Sequence, residues 1–130
     1  MPSNTEIVSI VEDEPDIKNL FYEILSEAFS QVSVLKFGDS VIALEHFEKN
    51  KENYKLVIAD WKMPKLDGIE LLSRVKKLNP NVRSILISAF EVENNPNFQR
   101  FIDERIIDKF IQKPVAMDYL CREVNNQIQA

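Results

Sequence analysis

The sequence predicts an α/β fold in which one sheet of five parallel strands carries helices on both faces. Along the 130 residues, short runs rich in β-branched residues alternate five times with amphipathic stretches. Three of these runs show little alternation of apolar and polar residues, which is typical of strands that are covered on both faces. Repeats of a strand followed by a helix form parallel sheets that are joined by right-handed crossovers.

The five predicted strands are short and are built mainly from isoleucine, valine and leucine. They cover residues 7–11, 32–37, 56–59, 84–87 and 106–111, and the second has the weakest pattern. The runs at 7–11, 56–59 and 84–87 are the continuous apolar ones, so we expect these three strands to be buried on both faces.

The stretches between the strands predict helices, and capping residues mark where several of them begin. Pro15 fits the first position of the first helix, because an N–H group at that position would have no partner within the helix. Asp39 or Ser40 is predicted to cap the second helix, and Asp67 the third. Apolar spacing predicts the inward faces, which comprise Ile17, Leu20, Phe21, Ile24, Leu25 and Ala28; Val41, Leu44 and Phe47; Leu71, Leu72, Val75 and Leu78; and Met117, Leu120, Cys121, Val124 and Ile128.

The fourth helix is poorly defined by the sequence. Asn94-Asn95-Pro96-Asn97 interrupts the helical pattern, and only Phe98, Phe101 and Ile102 suggest an apolar face. The conformation of residues 91–105 is therefore left open.

Composition and charge argue against several classes of protein. The formal net charge of −5 opposes nonspecific binding to nucleic acid, which requires a basic face. Cys121 is the single cysteine, so we expect no intrachain disulfide, no cysteine metal cluster and a reduced, cytoplasmic compartment. We expect no secretory leader at the N-terminus and no membrane span, because no apolar stretch is long enough.

Reactive side chains follow four of the strands at the end where open α/β sheets bind their ligands. An acidic run occupies residues 12–14, Asp60 ends the third strand, Ser88 ends the fourth, and Lys113 follows the fifth. Taken singly, each has an ordinary structural explanation as a solvated turn, a helix cap or a surface charge. Together they are predicted to bring carboxylates, a hydroxyl and an amine to one edge of the sheet.

This combination of groups favours phosphoryl transfer. Crowded carboxylates repel one another unless a cation neutralises them, and hard oxygen ligands suit Mg²⁺. A carboxylate that attacks phosphorus forms an acyl phosphate. A metal ion, an ammonium and a hydroxyl supply the positioning and the charge neutralisation that phosphoryl transfer requires.

A set of short motifs occurs in a fixed order along the chain: Val11-Glu12-Asp13-Glu14-Pro15-Asp16, Leu56-Val57-Ile58-Ala59-Asp60, Met63-Pro64, Asp67-Gly68, Ser88-Ala89 and Lys113-Pro114. This set resembles the response-regulator receiver family of two-component phosphorelays, over nearly the whole chain. The resemblance implies a flavodoxin-like, doubly wound sheet with strand order 2-1-3-4-5. It also implies one receiver domain over residues 1–130 with no output domain.

The resemblance implies a phosphoacceptor and a metal site. Asp60 would take a phosphoryl group from the phosphohistidine of a sensor histidine kinase or a phosphotransfer protein. Glu12 and Asp13, with Asp60 and the main-chain carbonyl of Lys62, would hold Mg²⁺ or Mn²⁺. The phosphorylated form would change its affinity for a downstream protein of unknown identity. Such a protein is not an enzyme, although it assists its own phosphotransfer and dephosphorylation.

The resemblance also implies a switch and two tuning positions. Ser88 would be the switch hydroxyl, which turns toward the phosphoryl group, and Phe110 would occupy the switch aromatic position. Lys113 would pair with the phosphoryl group, and a cis bond to Pro114 would aim its ammonium at that group. Lys62 and Phe90 would tune the attack of water on the acyl phosphate. The chain departs from the family pattern where Arg105-Ile106-Ile107-Asp108 replaces a usual Gly-Ala pair.

Two other classes of function remain as alternatives, namely an interaction module and an enzyme, the latter either an aspartyl-phosphate hydrolase or a flavin protein. A receiver-like interaction module would not use phosphate, and the complete set of reactive residues argues against it. An aspartyl-phosphate hydrolase would have a second aspartate two residues after the nucleophile, where this chain has Lys62. A flavin protein would need a Ser/Thr/Gly-rich phosphate loop after the first strand, where this chain has acids.

Two single residues complete the predictions from sequence. His46 is predicted to be a surface residue without a metal partner, since Glu45, Glu48 and Lys49 surround it. Trp61 directly follows Asp60 and is predicted to lie, partly exposed, beside the site.

Overall fold

One parallel sheet, with strand order β2-β1-β3-β4-β5, forms the centre of the protein. The computed structural model describes residues 6–130, apart from the side chain of Glu93. The strands are β1 (Ile7–Val11), β2 (Ser33–Phe37), β3 (Tyr54–Asp60), β4 (Arg83–Ser88) and β5 (Lys109–Gln112). Both the predicted fold class and the flavodoxin-like strand order are confirmed.

Helices cover both faces of this sheet. They are α1 (Pro15–Ala28), α2 (Ser40–Asn50), α3 (Gly68–Leu78), α4 (Phe98–Asp103) and α5 (Met117–Gln129), with short 3-10 helices at Lys51–Asn53 and Val92–Asn94. On one face, Leu25 of α1 and Leu120 of α5 belong to one buried apolar cluster. On the other, Phe47, Leu72 and Phe101 of α2, α3 and α4 belong to a second. Within residues 6–130, no helix has the length and apolar character needed to cross a membrane.

The predicted helix starts are confirmed at the level of individual hydrogen bonds. Pro15 is the first residue of α1, as predicted. The sequence left the cap of α2 open between two residues, and the structure selects Asp39, whose carboxylate accepts from the amides of Val41 and Ile42. Asp67 caps α3 by accepting from the amide of Glu70 at 2.9 Å.

The predicted start of the fifth strand is wrong. The strand begins at Lys109, whereas the apolar pattern placed its start at Ile106. The amides of Ile106 and Ile107 both donate to the carbonyl of Phe101 and so close the end of α4, which prevents them from pairing with β4. Both side chains are nevertheless buried, which explains why they resemble strand residues in the sequence.

Four of the side chains assigned to inward helix faces are exposed, those of Leu20, Ala28, Val41 and Leu78. Leu20, Val41 and Leu78 expose 46%, 38% and 39% of their surface. Val41 lies in the first turn of α2, and Ala28 and Leu78 are the last residues of α1 and α3, so these three lie at helix ends. Helical spacing alone overestimates how many residues of each helix are buried.

The prediction for His46 is also wrong. Its ring is half-buried between Phe37 and Tyr54, and its Nδ1 lies 2.7 Å from the hydroxyl of Tyr54. Burial raises the pKa of Tyr54 to about 12. The contact joins α2 to the first residue of β3, eight positions later in the chain, and the charged neighbours of His46 in the sequence did not indicate it.

Candidate functional site

The carboxyl ends of the central strands bring several of the predicted residues together. Asp60 is the last residue of β3 and pairs in register with Ile87 of β4, while Val11 of β1 pairs with Ala59. The amide of Trp61 then donates to the carbonyl of Ile87 at 3.0 Å and continues the ladder past the strand end. These main-chain bonds hold the site residues at one edge of the sheet.

Three carboxylates form the acidic cluster at this edge. Glu12, Asp13 and Asp60 each contribute an oxygen atom, and these three atoms lie within 4.8 Å of one another. Glu12 is only 2% exposed, Asp60 is half-buried and Asp13 is exposed. Hard oxygen donors at this spacing have the chemistry of a magnesium site, so the residues present fit the cation that the sequence implied.

Burial and mutual repulsion both act on the buried carboxylates. Burial raises the pKa of Glu12, and the negative charge of Asp60 raises it further. Burial also raises the pKa of Asp60, against the opposing effect of the Lys113 ammonium. A carboxyl group whose pKa rises on folding destabilises the fold once pH exceeds the folded pKa, because the ionised form is then the less favourable one in the protein. A bound cation would offset this cost.

Lys113 connects the carboxylates of the first and third strands. Its Nζ lies 3.1 Å from Oε1 of Glu12 and 3.5 Å from Oδ1 of Asp60. Although burial favours the neutral amine, these two partners raise the pKa of Lys113, so the group is a cation at neutral pH. Its amide donates to the carbonyl of Ser88 at 2.8 Å, and the bond to Pro114 is cis, as the resemblance implied.

Gly68 allows the start of α3 to lie directly against the main chain of Asp60. Its amide donates to the carbonyl of Trp61 at 2.8 Å. A Cβ atom at this position would lie 2.2 Å from the main-chain oxygen of Asp60 and 2.9 Å from its carbonyl carbon. Only glycine therefore permits the start of α3 to come this close to the main chain of Asp60. In the sequence, the Asp67-Gly68 pair indicates this close contact.

Ser88 lies at the predicted strand end but is engaged with a different neighbour. Its side chain is 1% exposed, and its Oγ accepts a hydrogen bond from the amide of Phe90 at 2.9 Å. Within the described part of the chain, no hydrogen bond joins Ser88 to Asp60. The hydroxyl is thus held by the loop that follows β4.

Lys62 lies within an aromatic cluster at the edge of the site. Its Nζ is 3.7 Å from the ring centroid of Trp61 and 5.8 Å from that of Phe90. The two rings are 6.3 Å apart and meet edge to face, and Phe90 is 55% exposed. The sequence analysis placed Trp61 beside the site but did not predict its contact with Lys62. The contact could have been suspected, because Lys62 directly follows Trp61 and a second aromatic residue, the exposed Phe90, lies in the loop after the neighbouring strand.

Phe110 is half-buried and packs against α4. Its ring lies 6.0 Å from that of Phe98, with an interplanar angle of 78°. In the sheet it pairs with Leu86, so it lies two residues before the end of β5 rather than at the strand end beside Ser88. Sequence reasoning did not identify Phe98 as its partner, because residues 91–105 had no defined conformation there.

Comparison with known proteins identifies the same architecture. A family model described as the response regulator receiver domain matches residues 8–125. The response regulator receiver protein CpdR of Brucella abortus is 27% identical over 124 residues, which cover 95% of this chain and 97% of that protein. Other curated relatives are longer, and the matched region spans 32% of one of them and 26% of another.

Two solved structures show the same similarity. A response regulator receiver domain protein of Clostridium thermocellum has a TM-score of 0.84 at 27% identity, and the match covers 95% of this chain and 94% of that one. The response regulator TrrA of Thermotoga maritima, solved in complex with Mg²⁺-BeF, has a TM-score of 0.78 at 25% identity. That match covers 95% of this chain and 99% of the other.

Proposed function

The chain belongs to the response regulator receiver family, and on that premise we propose that it is a phosphoryl-accepting signalling switch with Asp60 as the acceptor. The donor would be the phosphohistidine of a sensor histidine kinase or a phosphotransfer protein, in the cytoplasm. The phosphorylated form would change its affinity for a downstream protein, without nucleic acid or a membrane taking part. The protein is not an enzyme in this proposal, although its side chains assist both phosphotransfer and dephosphorylation.

One observation carries this proposal, namely that the Lys113 ammonium and the carboxylates of Glu12 and Asp13 converge on Asp60. An Asp60 oxygen would form the new P–O bond while the P–N bond of the donor breaks. The Lys113 ammonium, 3.5 Å from Asp60, is near enough to pair with the incoming phosphoryl oxygens. Glu12, Asp13, Asp60 and the Lys62 main-chain carbonyl would hold Mg²⁺ or Mn²⁺, which neutralises charge on the phosphoryl group when it is bound.

The switch would use Ser88 and Phe110. Turning the Ser88 hydroxyl toward a phosphoryl group requires it to leave the amide of Phe90, with which it bonds at 2.9 Å. Phe110 would then move inward, away from Phe98, and bias an equilibrium between two arrangements. Structures with and without a phosphoryl mimic test this coupling, and an unmoved Ser88 and Phe110 would count against it.

The proposal predicts a phosphoryl adduct on one residue. After incubation with Mg²⁺ and a small acyl phosphate, intact mass measurement should detect one added phosphoryl group on the wild type and none on Asp60→Asn. Chelation of the divalent cation should also suppress the adduct. If Asp60→Asn retained the adduct, the acceptor would be another residue. If no condition produced an adduct, the protein would be an interaction module that does not use phosphate.

Intrinsic fluorescence should report binding of the divalent cation. Trp61 follows Asp60 directly, so a cation at the acidic cluster should alter the field around its indole. We expect a saturable change with Mg²⁺ that fits one site, and a weaker response to Ca²⁺ if the site favours the smaller, octahedral ion. Asp13→Asn is the control. An equal signal in both proteins would require withdrawal of the role assigned to Asp13.

The aromatic cluster predicts slow loss of the phosphoryl group. The ring of Trp61 holds the Lys62 ammonium close to the acceptor loop, and Phe90 would crowd the approach of water. An exposed charge that stabilises the phosphoryl group by about 1 kcal/mol changes the rate of its hydrolysis about fivefold. Lys62→Asn combined with Phe90→Glu should therefore accelerate hydrolysis by about that factor, as measured by decay of the adduct. Unchanged decay would show that neither residue tunes the reaction.

A further inference from the structure

A groove of about 290 Å³ separates α3 from α4, on the side of the molecule away from α1 and α5. Its apolar lining comes from Ile69, which is half-buried, and from Phe101 and Ile106, which are 7% and 8% exposed. Three long cationic side chains, those of Arg74, Lys77 and Arg100, complete the lining together with Ser73 and Glu70. The groove thus combines an apolar surface with a cationic one.

Two of the three cations of this groove have no ion pair within the described part of the chain. No carboxylate there pairs with Arg74 or Lys77, whereas Arg100 forms an exposed ion pair of 3.4 Å with Glu104 and lies 5.1 Å from the ring centroid of Phe101. Lys76, the neighbour of Lys77 on α3, is different, because its side chain is only 10% exposed and pairs with Asp108 at 2.6 Å. Helix α3 therefore commits one of its cations to folding and leaves two at the groove.

The charge of the groove is opposite to that of the whole protein. The chain carries a net charge of −5, whereas the groove lining holds three cations against the one carboxylate of Glu70. Surface charge of one sign at a concave site attracts partners of the opposite sign and orients them before contact. A polyanion such as nucleic acid would meet repulsion from the rest of the surface, while a short acidic segment would meet only the groove.

We propose that the groove between α3 and α4 binds an acidic, amphipathic helical segment of a partner protein. Apolar side chains of that segment would pack on Ile69 and on the parts of Phe101 and Ile106 that remain exposed, and its carboxylates would pair with Arg74, Lys77 and Arg100. This is the helix-in-groove mode of recognition, in which apolar anchors supply affinity and the charged rim supplies register.

The groove is also connected to Phe110, the proposed switch aromatic, through α4. Phe98 begins this six-residue helix and contacts Phe110, while Phe101 lies one turn later and lines the groove. A displacement of Phe110 would therefore change the support of α4 and the width of the groove. This coupling rests on the proposed function, whereas binding in the groove does not.

The test uses a defined probe, a labelled 16-residue peptide with leucine on one helical face and glutamate on the other. Titrated into the ¹⁵N-labelled protein, it should shift amide resonances in residues 69–77 and 98–106. Arg74→Glu combined with Lys77→Glu should weaken its binding at least tenfold. The matched control, Lys49→Glu combined with Arg122→Glu, makes the same change of charge on exposed residues of α2 and α5 and should alter affinity less than twofold.

Several outcomes would overturn the proposal. These are resonance shifts located elsewhere, an equal loss of affinity in the control variant, or tighter binding of a single-stranded oligonucleotide than of the peptide. The coupling is tested separately, by measuring peptide affinity with and without the phosphoryl adduct. Unchanged affinity with the adduct present by mass would overturn the coupling, whereas failure to form any adduct would count against the proposed function.

Discussion

Lys113→Ala is expected to lower the initial rate of phosphorylation by a small acyl phosphate by about 100-fold. The wild-type ammonium lies 3.1 Å from Glu12 and 3.5 Å from Asp60, so its loss removes the cation nearest to the acceptor oxygen. It also leaves the Glu12 carboxylate, which is 2% exposed, with less compensation for its burial. The pKa values of Glu12 and Asp60, already raised by burial, would rise further because Lys113 lowers both.

A neighbouring lysine provides the matched control for this experiment. Lys109 begins β5, the strand that Lys113 directly follows, and its Nζ lies 3.8 Å from Oε1 of Glu123 of α5. Lys109→Ala removes an identical side chain but leaves the acidic cluster intact, and its rate should stay within about twofold of the wild type. Circular dichroism should verify that both variants are folded. Equal rates for Lys113→Ala and the wild type would show that the ammonium takes no part in the transfer.

Asp108→Ala is expected to lower the free energy of unfolding by about 3–5 kcal/mol. The Asp108 and Lys76 side chains are 6% and 10% exposed, and Oδ2 of Asp108 lies 2.6 Å from the Lys76 ammonium. The same oxygen accepts hydrogen bonds from the amide and the hydroxyl of Ser84 at 2.9 and 3.3 Å. Truncation would leave a buried ammonium and a buried amide without their partner, a larger loss than that of an exposed ion pair.

Urea denaturation at neutral pH measures this effect. Asp103→Ala is the control, because Asp103 is exposed on α4 and accepts one hydrogen bond, from Gln99 four residues earlier. Its free energy of unfolding should change by about 0.5 kcal/mol or less. Similar stabilities for the two variants would mean that the ion pair of Asp108 and Lys76 does not hold α3 against the start of β5.

Most of the acidic site could be predicted from the chain because its residues occupy strand ends. Once the apolar runs predict a parallel sheet, the residues after each run must share one edge, whatever the details of packing. Glu12, Asp13, Asp60 and Lys113 are therefore neighbours in the structure although Glu12 and Lys113 are 101 positions apart in the sequence. The caps by Asp39 and Asp67 could be predicted for a related reason, since each bonds to amides within three residues of itself.

Pairs of side chains that meet only after folding could not be predicted in this way. The buried partnership of Asp108 with Lys76 links residues 32 positions apart, and it lies just before the true start of β5 at Lys109. The contact between His46 and Tyr54 is of the same kind, and it explains why a histidine flanked by charges is half-buried. No pattern within a few residues of Asp108 or His46 predicts which side chain from another element will contact it.

The parallel α/β fold and the meeting of Glu12, Asp13, Asp60 and Lys113 at the carboxyl edge could be predicted from the chain, and the strand order from the family resemblance. The contacts of the side chains around that edge could not: Ser88 bonds to the amide of Phe90, Lys62 lies over the ring of Trp61, and Phe110 packs against the ring of Phe98. The cationic groove could not be predicted either, because its walls are two helices separated in the chain by β4. Periodicity and capping act within a few residues, whereas these contacts depend on how loops and helices pack across the sheet.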